Sequence, residues 1–134
     1  MKDQVLKIEQ SRRILICDDE MRTRDALKAL LLAREMSQDL TVSPVIQVVG
    51  EARDGEEAIR LMDIHQPEVV VIDACMPGMS GVEAGRLIKK SWPSVKVVML
   101  TMYSDKRQEA LEAGVDIFLA KGCSAEALFE AILS

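Results

Sequence analysis

The sequence predicts an α/β fold in which a doubly wound, five-stranded parallel sheet is covered by helices on both faces. Short apolar runs rich in Val and Ile recur along the 134 residues, at Ile14–Cys17, Ile46–Val49, Val69–Ile72, Val97–Thr101 and Ile117–Ala120. Continuous apolarity, rather than alternation, is typical of strands that are buried on both faces. Longer segments with helical spacing separate these runs, and this alternation implies a parallel sheet with right-handed crossovers.

Apolar residues at helical spacing define the five segments that follow the strands. They are Leu27, Leu30 and Leu31; Ala58, Leu61 and Met62; Ala84, Leu87 and Ile88; Ala110, Ala113 and Gly114; and Ala127, Leu128 and Ala131. Candidate N-caps are Asp54 for the second helix, Ser104 for the fourth and Ser124 for the fifth, and Gly114 suits the end of the fourth. Five strand–helix units fit a flavodoxin-like (βα)5 fold with strand order 2-1-3-4-5.

Two segments interrupt this rhythm. Gly50 and Glu51 follow the second apolar run and are interpreted as a turn. Arg34–Val45 is a long connection before that run, in which Pro44 disfavours helix, so we expect a surface loop.

Composition and charge exclude several classes of protein. The net charge of −5 argues against a nucleic-acid-binding surface on this chain, because phosphate contacts need clustered cations. Apolar runs of no more than five residues are far shorter than the roughly 20 that a membrane span requires. The charged N-terminal segment does not have the pattern of a secretory signal peptide. The three cysteines are widely spaced and there is one histidine, so the sequence indicates neither disulfide bonds nor a zinc site. We therefore expect a cytoplasmic location. We expect a polar leader over residues 1–12 and one domain over 13–134.

Charged or hydroxyl side chains end or directly follow four of the five predicted strands. They are Asp18 and Asp19, Asp73, Thr101 and Lys121. Ligands of open α/β sheets bind beyond the carboxyl ends of the strands, so these residues are expected to meet at one edge. Each of these residues, taken alone, also has an explanation that involves no ligand. Helix capping explains the Asp pair, an ordinary strand position explains Thr101, and a solvated loop explains Lys121. Asp73 is harder to assign to a cap, because the next helix is predicted to begin near Gly81.

The convergence of these groups predicts phosphoryl transfer onto an aspartate. Three carboxylates at one edge repel each other, and Mg²⁺ prefers ligation by such oxygens, with phosphate completing its shell. A lysine and a hydroxyl beside the metal can hold phosphoryl oxygens. One carboxylate is then free to act as the nucleophile.

At these residues the sequence resembles the receiver domain of bacterial response regulators. The matching segments are ILICDDE, VVVIDACMPGMSG, VVMLT and GVDIFLAKG, and the resemblance covers Ile14 to Ile132. The pattern Asp-x-x-Met-Pro-Gly-Met-x-Gly from Asp73 to Gly81 is highly specific. GEARDGEEAI and AGVDIFLAKGCSAEAL are most similar to the LuxR/NarL-type subclass, which is usually joined to a DNA-binding module that this chain lacks.

The resemblance implies a role for each site residue. Asp73 is expected to accept a phosphoryl group from the phosphohistidine of a sensor histidine kinase. Mg²⁺ is expected to bind Asp19, Asp73 and the backbone carbonyl of Cys75 directly, and Asp18 through water. Thr101 and Lys121 would hold the phosphoryl oxygens. Phe118 occupies the position of the switch aromatic, although a core role in the fifth strand explains it equally well.

The resemblance also describes a phosphorylation-controlled switch rather than a conventional enzyme. The chain would assist only its own phosphorylation and dephosphorylation, and receivers of this kind pair when phosphorylated. The chain is either a complete single-domain regulator or a receiver cut from a longer one, and its end at Ser134, just after a short last helix, fits the second interpretation. Two alternatives stay open: an aspartyl-nucleophile phosphatase or hydrolase of similar fold, and a receiver that acts by interaction alone.

Four positions depart from the common family pattern. Cys75 and Tyr103 occupy positions that tune the lifetime of the phosphoryl group, which leaves that lifetime open. Met102 follows Thr101 where a small residue is commoner, and we predict that it narrows the site and disfavours small phosphodonors. Gly122 replaces the proline that often follows the lysine.

Overall fold

Five parallel strands and five α-helices alternate along the part of the chain that the structure describes. The computed structural model describes residues 11–37 and 45–134. The strands are β1 Arg12–Cys17, β2 Ile46–Ala52, β3 Val69–Asp73, β4 Lys96–Thr101 and β5 Ile117–Ala120. The helices are α1 Met21–Ser37, α2 Gly55–His65, α3 Gly81–Ser91, α4 Arg107–Glu112 and α5 Ala125–Leu133, and a 3₁₀ turn at Ser104–Lys106 precedes α4.

The sheet has the order β2-β1-β3-β4-β5, and each of its four strand pairs is parallel. This confirms the predicted fold class and strand order. Cys17 of β1 pairs with Ile72 of β3, so the residues that follow, Asp18 and Asp73, lie side by side. Thr101 of β4 pairs with Ala120 of β5, which places Lys121 at the same edge.

Helices cover both faces of the sheet, as its continuous apolar strands predict. One face packs against α1 and α5 through residues such as Leu31 and Leu128. The other packs against α2, α3 and α4. All five residues of β3 are buried, which explains why its sequence shows no alternation.

Most of the predicted helix caps are confirmed. Asp54 accepts a hydrogen bond from the Glu57 backbone N–H at 2.8 Å, and Ser124 accepts one from Ala127 at 3.1 Å. Gly114 follows α4 with a φ of 93°, a left-handed conformation that glycine adopts without strain. The Ser104 cap is wrong. Ser104 begins the 3₁₀ turn, and α4 begins at Arg107 with no side-chain cap.

The turn predicted at Gly50 and Glu51 is also wrong. Both residues lie inside β2, which continues to Ala52 because it pairs with β1. Ile14 pairs with Val48 and Leu15 with Gly50, so a bulge at this point lets the pairing continue.

The surface loop predicted over Arg34–Val45 is wrong for its first part. Helix α1 continues through Ser37, and Arg34 is only 8% exposed. Its guanidinium carbon lies 5.6 Å from the centre of the Phe129 ring in α5. Residues 38–44 of this connection and residues 1–10 of the predicted leader lie outside the described residues. Within the described ranges, the helices are too short or too polar to cross a membrane.

Candidate functional site

Three carboxylates meet at the carboxyl edge of the sheet. Asp18, Asp19 and Asp73 each offer an oxygen, and these oxygens lie within 4.8 Å of one another. Asp18 is 2% exposed and Asp73 is 7% exposed, whereas Asp19 faces solvent. The parallel pairing of β1 with β3 brings them together, because both strands end at this edge. Like charges held this closely in a partly buried site favour a cation.

Lys121 supplies one positive charge to this cluster. Its Nζ lies 2.9 Å from Oδ2 of Asp18 and 2.9 Å from Oδ2 of Asp73. The Lys121 backbone N–H donates to the Thr101 carbonyl at 2.8 Å, which fixes the start of the loop after β5. Burial alone would lower the pKa of Lys121, but hydrogen bonds and charge from Asp73 and Asp18 outweigh it and raise that pKa above 10.5. The side chain is therefore an ammonium ion at neutral pH.

The loop after β3 holds the Asp73 carboxylate. The backbone N–H of Cys75 donates to Oδ1 of Asp73 at 3.2 Å. The N–H of Gly81 donates to the Ala74 carbonyl at 2.9 Å, so the loop returns to the strand end before α3 begins. Ser80 caps that helix by accepting from the Glu83 N–H. As predicted, α3 starts at Gly81, too far along the chain for Asp73 to cap it.

Gly81 is required by a close approach of two backbone segments. A Cβ atom at this position would lie 1.6 Å from the carbonyl oxygen of Asp73. No movement of a flexible side chain could relieve that overlap, because the clashing atom belongs to the main chain of β3. The first turn of α3 therefore packs directly on Asp73.

The turn after β1 is held by its own backbone and by α1. The Asp18 N–H donates to the Ala52 carbonyl at 2.9 Å, and Oδ1 of Asp18 accepts from the Glu20 N–H at 2.9 Å. Arg24 of α1 donates from one terminal nitrogen to the Asp18 carbonyl at 2.7 Å. Asp18 thus orders the residues just before α1, which begins at Met21, while its Oδ2 contacts Lys121.

Thr101 lies beside this cluster at the end of β4, whereas Phe118 lies further back in the sheet, in β5, where it pairs with Met99. Thr101 ends β4, is 1% exposed, and its Oγ1 accepts from the Tyr103 N–H at 3.1 Å. Phe118 is half-buried in β5 and packs against the core on the side of α2, α3 and α4. Met102 and Tyr103 are exposed on the loop that follows Thr101.

The three cysteines are free thiols. Cys17 is buried in β1, and this burial raises the pKa of its thiol far above the ordinary value, so the thiol is neutral. Cys75 and Cys123 are half-buried. The arrangement is typical of cysteines that serve as small hydrophobic residues.

The sequence alone did not indicate Arg24 or Glu51 as residues of this edge. Arg24 is one of several charged residues in α1, and Glu51 belongs to the segment that was interpreted as a turn. Their side chains meet at 3.2 Å beside Asp18, because β2 continues to Ala52 and α1 packs across its end. Only the pairing of β2 with β1 reveals this contact.

A family model of the response regulator receiver domain matches residues 14–133, and the chain belongs to this family. It is 37% identical over 124 residues to the transcriptional regulatory protein LnrK of Bacillus subtilis, across 91% of this chain and 52% of that protein. It is 39% identical over 99 residues to the response regulator protein VraR of Staphylococcus saprophyticus, across 72% of this chain and 47% of that protein. The chain therefore spans about half the length of the curated relatives it matches.

Solved structures agree with this assignment and include receivers of the LuxR/NarL type. The receiver domain of the response regulator NarL from Mycobacterium tuberculosis superposes with a TM-score of 0.78 at 26% identity, covering 92% of this chain and 94% of that one. A LuxR-family response regulator from Aurantimonas gives a TM-score of 0.75 at 31% identity, covering 92% and 85%. The family and subclass that the motifs indicate are confirmed.

Proposed function

We propose that this receiver domain is a phosphorylation switch in which Asp73 accepts a phosphoryl group from the phosphohistidine of a sensor histidine kinase. The observation that carries the proposal is the position of Lys121, whose ammonium nitrogen lies 2.9 Å from the carboxylates of both Asp73 and Asp18. A buried carboxylate with a cation beside it and two more acids within 4.8 Å is suited to receive a phosphoryl group.

The donor set fits Mg²⁺. The three side chains whose oxygens lie within 4.8 Å of one another are all carboxylates, and the Lys121 ammonium group contacts two of them. Asp19, Asp73 and the backbone carbonyl of Cys75 would hold the ion, and Asp18 would reach it through water. When bound, Mg²⁺ would offset the charge of the acids and of the incoming phosphoryl group.

In the proposed reaction an oxygen of Asp73 attacks the phosphorus in line. The O–P bond forms as the P–N bond to the donor imidazole breaks, and the electron pair of that bond stays on the imidazole nitrogen. Lys121 pairs with the phosphoryl oxygens. These oxygens add negative charge next to the Asp73 carboxylate, which the Lys121 ammonium group already contacts. The Thr101 hydroxyl, at the end of the neighbouring strand, donates a hydrogen bond to the same group.

The signal in this proposal is the dianionic phosphoryl group at the sheet edge. Thr101 would turn toward it, and Phe118 would rotate into the space that the threonine leaves. Water then hydrolyses the acyl phosphate, so the domain assists its own phosphorylation and dephosphorylation and turns over no external substrate. The transcriptional names of the relatives support an output through a DNA-binding module beyond residues 13–134, with no DNA contact by the receiver itself.

The proposal includes three wider assignments. The polar leader proposed over residues 1–12 precedes the receiver, and its last residue, Arg12, already begins β1. The chain acts in the cytoplasm, where a kinase can present its phosphohistidine to the exposed carboxyl edge of the sheet. Two phosphorylated copies pair, a step that size-exclusion chromatography with and without phosphorylation measures directly.

Intact-mass spectrometry tests the proposal. The wild-type chain and the variants Asp73→Asn and Asp63→Asn are each incubated with acetyl phosphate, with Mg²⁺ or with EDTA. Asp63 is an exposed aspartate of α2 and serves as the matched control. We expect one added phosphoryl group in the wild type and in Asp63→Asn with Mg²⁺ present, and none in Asp73→Asn.

Two results would contradict the proposal. One is a phosphoryl adduct in Asp73→Asn as large as in the wild type. The other is steady turnover of p-nitrophenyl phosphate that depends on Asp73, which would show a phosphatase of similar fold instead.

A further inference from the structure

The side chain of Arg24 connects the turn that carries Asp18 and Asp19 to the end of strand β2. One terminal nitrogen donates to the Asp18 carbonyl oxygen at 2.7 Å, and Nε donates to Oε1 of Glu51 at 3.2 Å. The Arg24 side chain is only 15% exposed. A guanidinium held in this way is a fixed bridge between two elements rather than a solvated charge.

Glu51 is itself held from both sides. Its Oε2 lies 2.8 Å from Nζ of Lys28, one turn further along α1 than Arg24. The neighbouring residue Ala52 accepts the N–H of Asp18 at 2.9 Å. The end of β2 therefore positions Asp18 in two ways. Ala52 accepts the backbone N–H of Asp18 directly, and Glu51 holds the Arg24 side chain that donates to the Asp18 carbonyl.

We infer that Arg24 is a positioning residue for the metal-binding turn, and that Glu51 orients it. The inference rests on the proposed function, in which Asp18 and Asp19 serve Mg²⁺. The Asp18 carbonyl belongs to the peptide unit that joins these two residues, so a donor on that oxygen fixes the plane of the unit. The plane determines where the two side chains leave the backbone, and hence the separation of their carboxylates.

Geometry and charge predict opposite effects when Arg24 is changed. A positive charge near a cation site repels Mg²⁺, so a purely electrostatic role for Arg24 would make its removal strengthen metal binding. A positioning role predicts weaker binding on removal. It also predicts weaker binding in Arg24→Lys, because an ammonium group cannot reproduce the planar geometry that serves Asp18 and Glu51 together.

Isothermal titration of the whole chain with MgCl₂ distinguishes these roles. We expect Arg24→Lys and Arg24→Gln to weaken Mg²⁺ binding by about tenfold, as is usual for groups that orient metal ligands. Glu51→Gln should show a smaller loss, because Arg24 keeps its bond to Asp18. Lys28→Gln is the matched control: it removes a cation from the same network but leaves the contacts of Arg24 intact, so its affinity should stay within about twofold of wild type.

A second readout reports on the turn without metal. The Glu20 N–H donates to Oδ1 of Asp18, so its hydrogen exchange follows the order of this turn. We expect faster exchange at Glu20 in Arg24→Lys than in wild type, with Lys28→Gln unchanged. Cooperative urea unfolding of each variant shows that the fold is retained.

The two readouts separate the failure of this inference from failure of the proposed function. Tighter Mg²⁺ binding in Arg24→Gln with unchanged binding in Arg24→Lys would show a role by charge alone and overturn the inference. Unchanged exchange at Glu20 in Arg24→Lys would also overturn it. Absence of Mg²⁺ binding in the wild type would instead overturn the proposed function, while the exchange data would still report whether Arg24 orders the turn.

Discussion

The ammonium nitrogen of Lys121 lies 2.9 Å from Oδ2 of Asp73, a contact that joins the ends of β3 and β5 across the end of β4. Thr101 ends that intervening strand and accepts the backbone N–H of Lys121 through its carbonyl. Asp73 and Thr101 are thus the last residues of neighbouring strands, and Lys121 begins the loop directly after β5. A phosphoryl group on Oδ2 of Asp73 would change the Lys121 contact, because Nζ of Lys121 lies 2.9 Å from that oxygen.

The Lys121 contact makes stability depend on pH in the alkaline range. The folded state raises the pKa of Lys121 above 10.5, so the stabilisation is fully present below that pH and is lost as pH rises through the higher folded-state pKa. We expect the difference in unfolding free energy between wild type and Lys121→Met to shrink above about pH 10.5. Urea unfolding at several pH values measures this difference. Lys90→Met, at an exposed lysine, is the control. A difference that stays constant across this range would contradict the prediction.

Mg²⁺ should stabilise the folded chain by binding Asp19 and Asp73 directly and Asp18 through water. At a concentration one hundred times the Kd, linkage predicts a gain of about 2.7 kcal/mol in the free energy of unfolding. Asp19→Asn and Asp73→Asn should lose most of this gain, whereas Asp63→Asn should keep it. Thermal unfolding with Mg²⁺ or EDTA gives the comparison. Equal stabilisation of Asp19→Asn and the wild type would show that the ion binds elsewhere.

Gly81→Ala should disturb strand β3, which ends at Asp73. The added Cβ would meet the Asp73 carbonyl oxygen, so backbone must move, and we expect a loss of about 3 kcal/mol with slower phosphorylation of Asp73. Gly85→Ala in the same helix is the control, because its Cβ would make ordinary contacts beginning at 3.5 Å from Val115. That change should be neutral or stabilising by up to about 1 kcal/mol. Urea unfolding checks both values. Equal stability of the two variants would refute the steric argument.

Met102→Ala should speed phosphorylation by small donors. Met102 directly follows the buried Thr101, and its bulk is predicted to narrow the approach to Asp73. We expect the rate with acetyl phosphate to rise by about threefold, equivalent to about 0.7 kcal/mol in the barrier. Met36→Ala, at an exposed methionine near the end of α1, is the control for loss of an exposed thioether. Equal rates in Met102→Ala and the wild type would rule out this role.

The sequence could predict the site because parallel strands end at one edge. Reading one or two residues past each apolar run finds Asp18, Asp19, Asp73 and Lys121, and the structure joins all four in one cluster. Burial on both faces makes the strands continuous apolar runs, so their positions and order follow from local pattern and topology. The roles of Thr101, Phe118 and the Cys75 carbonyl stay predictions.

Features set by pairing between distant segments could not be predicted. Glu51 lies in β2 rather than in a turn because a bulge lets β2 continue along β1, and glycine at position 50 suggests a turn when read alone. Arg34 continues α1 because its side chain packs over Phe129, which is far along the chain. Pro44 disfavours helix only near its own position, so it did not limit α1.

Reductive trapping of the phosphorylated residue tests the central claim most directly. Borohydride converts an aspartyl phosphate to homoserine, and peptide mass spectrometry then locates the converted residue. After incubation with Mg²⁺ and a phosphodonor, the account predicts homoserine at Asp73, with Asp18 and Asp19 unchanged. Conversion at Asp18, Asp19 or any other carboxylate, with Asp73 intact, would contradict it.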